Sequence, residues 1–329
     1  ALLPLVIAGL VTACIGGKRT TPSEESSSLK AAFGNKFLIG AALNQRQVSG
    51  EDTAAIAIAK HHFNSIVAEN CMKCEVIHPE ENRYNLTPAD SLVDFGEENG
   101  MAVIGHCLIW HSQLAPWFCV DSAGKNVSPE VLKQRMKEHI STIVGRYKGR
   151  IHGWDVVNEA CDESQPDGLR NSYWYQIIGP DYLYYCFLYA REAEVLYSNQ
   201  YASLYGLNPE TDDLSSIQPK LFYNDYNEWV VSRSDAIVHF LTEEPWNENH
   251  EKVTSPVIHP DGDGTIYGDG LIDGIGMQGH LDDTQNIEQY MTALEKYDAA
   301  VDEIHITELD VGCTGSDANA EFYQAKFYY

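Results

Sequence analysis

Short apolar runs alternate with longer amphipathic stretches along almost the whole of this chain. That alternation constrains the fold more than any other feature. The sequence predicts strands over 37–42, 63–68, 102–107, 151–157, 220–224, 273–277 and 303–308, with helical stretches between them such as 129–147 and 286–297. Ser128-Pro129-Glu130 has the form of a helix start, with a hydroxyl cap followed by proline at the first helical position. Strand and helix units in alternation imply a parallel sheet, because each parallel strand needs a crossover to reach the next. Seven such units without a glycine-rich dinucleotide loop predict an α/β fold, a (β/α)8 TIM barrel, over a doubly wound sheet.

Polar residues gather at the C-terminal ends of these strands. The second ends in Glu69-Asn70, the fourth in Asn158-Glu159, the fifth in Asn224-Asp225, the sixth in Gln278 and the seventh in Glu308. Barrel active sites lie at that face, so these five strand ends converge on one place. The bland reading of any one of them is a solvated loop residue; five together point to a site.

The charge balance narrows the substrate. With 48 acidic against 22 basic residues the net charge is -26, which repels nucleic acid but not a neutral polymer. Nineteen Tyr and six Trp fit a sugar-binding surface, although most of these rings, Trp154 and Trp117 among them, are expected in the core.

The first residues read as something other than the barrel. Residues 1–14 form an apolar run ending in Val11-Thr12-Ala13-Cys14, which resembles a bacterial lipoprotein signal peptide with Cys14 as the lipidated residue. The run is too short for a membrane span. The chain opens on Ala1 without a basic segment, so the start of the gene is expected to be missing. Residues 15–35 read as a flexible tether and 36–329 as the catalytic barrel. The protein is then expected to be a monomer, held to a membrane only through this lipid, as a cell-envelope lipoprotein or otherwise extracytoplasmic.

No cofactor is implied. Cys71-x-x-Cys74 lacks a second Cys or His pair at zinc spacing, and buried free thiols are the better reading of the remaining seven cysteines. The stretch Asp261-Gly262-Asp263-Gly264 with Asp269 misses the EF-hand pattern and reads as an acidic surface loop rather than a calcium site.

Two Glu residues at the ends of the fourth and seventh strands suit the cleavage of a glycosidic bond. One carboxyl protonates the leaving oxygen; the other attacks the anomeric carbon or activates water. Asn158 beside Glu159 is suited to a sugar 2-hydroxyl. Strand alternation points neighbouring side chains to opposite faces, so both reach the site only if the strand end is irregular.

At this point a resemblance can be named. Glu69-Asn70-Cys71-Met72-Lys73, the run His106 to Gln113 (HCLIWHSQ), Trp154 to Ala160 (WDVVNEA), Asn224-Asp225-Tyr226-Asn227, Gly276 to His280 and Ile306 to Asp310 (ITELD) stand in the order seen in family 10 glycoside hydrolases. The chain resembles that family from about residue 36 onward. The resemblance implies an endo-β-1,4-xylanase with a (β/α)8 barrel, acting on xylan and xylo-oligosaccharides with retention of configuration. It implies Glu159 as acid/base and Glu308 as nucleophile. Glu69, Asn70, Lys73, His106, Trp110, His111, Asn158, Gln278 and His280 would line the glycone subsites, and Tyr226 the aglycone side. His280 would bridge Asp310 and Glu308. The family also implies a cis peptide after His106, which lets His106, Trp110 and His111 all reach the site. Cys71, Cys74, Cys107 and Cys161 depart from its usual residues. The eighth strand and helix are expected to be missing, since the sequence stops at Tyr329 with room for only a seventh helix. Two other readings remain open: a related retaining β-glycosidase acting on glucans, and a non-catalytic xylan-binding protein.

Overall fold

A computed structural model describes residues 28–34, 36–212, 214, 217–242, 257–258, 266–267, 271–315 and 319–328. Cys14, most of the expected tether, and Asp261, Asp263 and Asp269 lie outside the described residues.

Seven parallel strands form one sheet in strictly sequential order. They are β1 (Gly40–Leu43), β2 (Ser65–Ala68), β3 (Ala102–Trp110), β4 (Gly153–Asn158), β5 (Lys220–Asp225), β6 (Gly274–Met277) and β7 (Glu303–Ile306). Sequential order is the signature of a barrel, since a doubly wound sheet reverses its order at a switch point. Among the described residues β1 and β7 are the two ends of the sheet. The main crossovers are α1 (Thr53–His62), α2 (Thr87–Glu98), α3 (Pro129–Arg146), α4 (Tyr182–Tyr201), α5 (Val231–Thr242) and α6 (Ile287–Asp298), with α7 (Ala320–Tyr328) following β7.

Local chemistry accounts for these elements. The helix α3 starts as expected: the Ser128 hydroxyl accepts the Val131 N–H and Pro129 occupies the first turn. Its buried face carries Leu132, Met136, Ile140 and Ile143, one stripe of a 3.6-residue period. Each such side chain contributes roughly 1.5–3 kcal/mol on burial. The strands β4 and β6 are buried along their whole length, as parallel strands covered on both faces should be. Trp154, expected in the core, is 1% exposed and lies where a Cβ on Gly105 would stand, 2.1 Å from its ring. Trp117, also expected there, is only partly buried, stacked on Phe118 with its N–H donated to the His78 carbonyl.

Two boundaries differ from the sequence reading. Phe37 and Leu38 are exposed and precede the sheet, because pairing with β2 begins at Gly40 opposite Ser65. Residues 29–33 form a short helix rather than tether: Ser28 caps it, the Leu29 N–H reaches His62 Nδ1, and Lys30 Nζ reaches the Lys60 carbonyl. Cys74, Cys107, Cys119, Cys161 and Cys186 are buried free thiols, whereas Cys71 is half-buried and Cys313 exposed.

Candidate active site

The end of β4 breaks the strand pattern where the chemistry needs it broken. The register between β4 and β5 shifts between Asp155 and Val157. Glu159 then takes φ +58°, a left-handed conformation that few non-glycine residues adopt. Such geometry persists only where surroundings hold it. Its effect is that Asn158, buried, and Glu159, half-buried, both turn into the same site. The expected irregularity is therefore present.

One continuous run of hydrogen bonds joins the two candidate carboxylates. Gln278 Nε2 donates to Glu159 Oε1 at 3.0 Å and to Asn158 Oδ1 at 3.2 Å. Asn224 Nδ2 donates to the same Asn158 oxygen at 3.0 Å and to Glu308 Oε1 at 3.3 Å. Thr307 Oγ1 donates to Asn224 Oδ1 at 2.8 Å, which fixes the orientation of that amide. Strands β4 and β5 thus supply Asn158 and Asn224, and the residues just after β4, β6 and β7 supply Glu159, Gln278, Thr307 and Glu308.

Each carboxylate has its own further partner. Trp110 Nε1 donates to Glu159 Oε2 at 2.9 Å, and His111 Nε2 stands 3.9 Å from the same oxygen. The Trp110 backbone carbonyl accepts the Trp174 indole N–H, so a second tryptophan positions the first. Burial, and then the charge of Arg170, push the His111 pKa down. On the other side, His280 Nδ1 is 2.8 Å from Asp310 Oδ2 and its Nε2 is 3.3 Å from Glu308 Oε2. Partial burial opposes a charge on His280, but the Asp310 hydrogen bond and the charges of Asp310 and Glu308 outweigh it and raise the pKa.

The remaining expected residues fall into smaller groups. Lys73 Nζ donates to Asn70 Oδ1 at 3.3 Å and lies 5.1 Å from the centre of the Trp110 ring. Asn70 Nδ2 donates to Glu69 Oε1 at 3.4 Å. The His106–Cys107 peptide is cis, as expected, and the β3–β4 register shifts just after it. His106 is buried with its Nδ1 2.8 Å from Asp155 Oδ2. Tyr226 receives a hydrogen bond from Arg170 and lies with its ring 4.3 Å from the Arg233 guanidinium.

Sequence reasoning did not single out Asn224, Asp155, Arg170 or Glu228 as site residues. Asn224 had a signal, since it is one of the polar strand ends. Asp155 sits inside the WDVVNEA run. Arg170 and Glu228 lie in polar loops with nothing in their spacing to mark them.

The sequence model of glycosyl hydrolase family 10 matches residues 28–329. The chain belongs to that family. Its fold is accordingly the (β/α)8 barrel, of which seven strands lie among the described residues. Endo-1,4-beta-xylanase A of Thermotoga maritima is 39% identical over 295 residues, covering 88% of this chain and 24% of that protein. Endo-1,4-beta-xylanase A of Xylanibacter ruminicola is 36% identical over 291 residues, covering 88% of this chain and 66% of that protein. The chain thus spans about a quarter of the first relative and just under two thirds of the second. A psychrophilic family 10 endo-β-1,4-xylanase of known structure superposes with a TM-score of 0.72 at 33% identity, over 92% of this chain and 82% of that one.

Proposed function

We propose that this family 10 member hydrolyses internal β-1,4-xylosidic bonds of xylan and xylo-oligosaccharides by double displacement. The observation that carries the reading is the amide run Gln278–Asn158–Asn224, which ties Glu159 to Glu308 across the strand ends. In the first step Glu308 attacks the anomeric carbon while the bond from that carbon to the leaving oxygen breaks. The proton on Glu159 goes to that oxygen. In the second step Glu159 takes a proton from water, whose oxygen displaces Glu308 from the anomeric carbon. His280, held by Asp310, is favoured in its charged form beside Glu308. Asn158 is suited to the sugar 2-hydroxyl, Glu69, Asn70, Lys73, His106, Trp110, His111 and Gln278 to the glycone sugars, and Tyr226 to the aglycone. The endo-1,4-beta-xylanases among its relatives support the xylan preference.

Proton NMR during hydrolysis of xylohexaose tests the mechanism. New β-anomeric ends should appear first, and α-ends forming first would overturn it. Glu308→Ala should abolish turnover while retaining affinity for xylan; undiminished turnover would assign the nucleophile elsewhere. Parallel reducing-sugar assays on xylan and carboxymethylcellulose decide the substrate.

The likeness of residues 1–14 to a lipoprotein signal peptide supports a further part of the proposal: Cys14 carries a lipid that holds a monomeric enzyme at the cell envelope. Radiolabelled palmitate should enter the protein in the native host and fail to enter Cys14→Ala.

A further inference from the structure

Eleven residues after Glu159 the chain returns to the same place. The loop folds back through an antiparallel bridge between Cys161 and Leu169, and the Arg170 N–H donates to the Ala160 carbonyl at 2.7 Å. The Arg170 side chain then spans the acid/base region. Its Nε donates to the backbone carbonyl of Glu159 at 2.9 Å, and its Nη2 donates to the Tyr226 hydroxyl at 2.9 Å and the Cys161 carbonyl at 3.3 Å. Arg170 also lines the same cavity as Trp110, His111 and Glu159.

The backbone of Glu159 is therefore held from both sides. Its N–H donates to the Asn224 carbonyl at 2.8 Å, and its carbonyl takes the Arg170 donor. A residue at φ +58° is not in its preferred conformation, and these two bonds oppose its return to strand geometry. A planar guanidinium serves the Glu159 carbonyl from Nε and the Tyr226 hydroxyl from Nη2 in a fixed fork, whereas an ammonium has a single nitrogen for both.

Building on the proposed hydrolytic reaction, we propose that Arg170 is a positioning residue. It holds the Glu159 carboxyl in line with the leaving oxygen and couples that placement to Tyr226 on the leaving-group side. It makes no contact with the nucleophile, so its influence is confined to steps that move the Glu159 proton.

Leaving-group dependence isolates those steps. The full chain, Arg170→Ala and Arg170→Lys are compared on xylohexaose, whose departing sugar hydroxyl needs a proton, and on 2,4-dinitrophenyl β-xylobioside, whose phenolate does not. For both variants kcat/KM on xylohexaose should fall roughly 10–100-fold, the scale of a displaced general acid. On the dinitrophenyl substrate kcat/KM should change by less than about threefold, since it reports only the first displacement. Its kcat should fall, because Glu159 must still activate water, and added azide should restore it. Equal losses of kcat/KM on both substrates would overturn the proposal and leave Arg170 with a structural role. Arg170→Lys keeps the charge and most of the length but not the fork, so it decides the matter if Arg170→Ala does not fold. A wild-type chain that cleaves neither substrate would instead overturn the hydrolytic reading beneath it.

Discussion

His280 serves two carboxylates at once, and its protonation depends on both. The Asp310 contact at 2.8 Å is the shorter and the Glu308 contact is 3.3 Å. Asp310→Asn removes a charge while keeping the shape, so the His280 imidazole should titrate at lower pH by NMR. Turnover should fall with it, since the positive charge beside Glu308 is then lost earlier as pH rises. An unmoved titration would mean that Glu308 alone sets the histidine. A buried carboxyl couples to the same turn. Glu228 is fully buried, accepts the Gly279 N–H at 3.1 Å, and leaves its other oxygen without a partner among the described residues. Burial pushes its pKa up from 4.5 to about 7, against the pull of backbone donors, with the charge of Asp225 adding to the rise. The sign of its effect on stability follows. As pH rises above 4.5 the unfolded carboxyl gives up its proton first, while the folded one keeps it to about 7. The folded state then binds more protons, and its stability falls across that window. Glu228→Gln has no proton to lose. Its melting temperature should gain on the wild type as pH rises from 4.5 to 7, and level off above it. A difference that stays constant across that range would place the Glu228 pKa near its ordinary value.

At the scale of strands, the site depends on how closely β5, β6 and β7 approach one another. A Cβ on Gly276 would stand 2.1 Å from Asn224 Oδ1 and 2.9 Å from Thr307 Cγ2. The first is the amide oxygen that Thr307 Oγ1 holds in place, and the second belongs to the same threonine. Gly276→Ala should therefore cost about 1–3 kcal/mol in denaturant unfolding, as overpacking does. It should also lower kcat, because the displaced amide no longer meets both partners. Loss of stability with unchanged kcat would show that the amide run does not align the carboxyls. The strands themselves were legible because burial on both faces writes short continuous apolar runs, and their polar ends marked the site. Where each strand begins and ends was less legible. Phe37 and Leu38 continue an apolar run, but pairing with β2 begins only at Gly40. The need for an irregular β4 end could be argued from Asn158 and Glu159 alone. That it takes the form of a left-handed Glu159 with a register shift depends on neighbours outside the strand, Asn224 and Arg170. Arg170 and Glu228 were not legible at all. Each is a charged residue in a polar loop, and only tertiary folding brings it to the site.

For the molecule as a whole, the excess of 48 acidic over 22 basic residues sets a long-range term that no single contact shows. Like charges compacted by folding repel, and this opposes the folded state. Local ion pairs act in the other direction. Arg146 pairs with Asp90 at 2.6 Å, Arg150 with both Asp94 and Glu97 at 2.5 Å, and Lys296 with Asp235 at 2.5 Å. All of these lie near the surface, where a pair contributes about 0–1 kcal/mol and is itself screened by salt. Salt thus weakens both terms, and the outcome depends on which is larger. The Debye length falls from about 30 Å at 0.01 M to about 10 Å at 0.1 M, the range over which charges across a domain stop sensing one another. Pairs in direct contact keep most of their attraction over that range, whereas the repulsion summed over the surface does not. The melting temperature at pH 7 should therefore rise as sodium chloride goes from about 0.01 to 0.1 M, most of the gain coming before the Debye length drops below the spacing of surface charges. The rise should be smaller at pH 5, where part of the negative charge is already neutralised. A melting temperature that falls over the same range would mean that the Arg and Lys pairs outweigh the net repulsion.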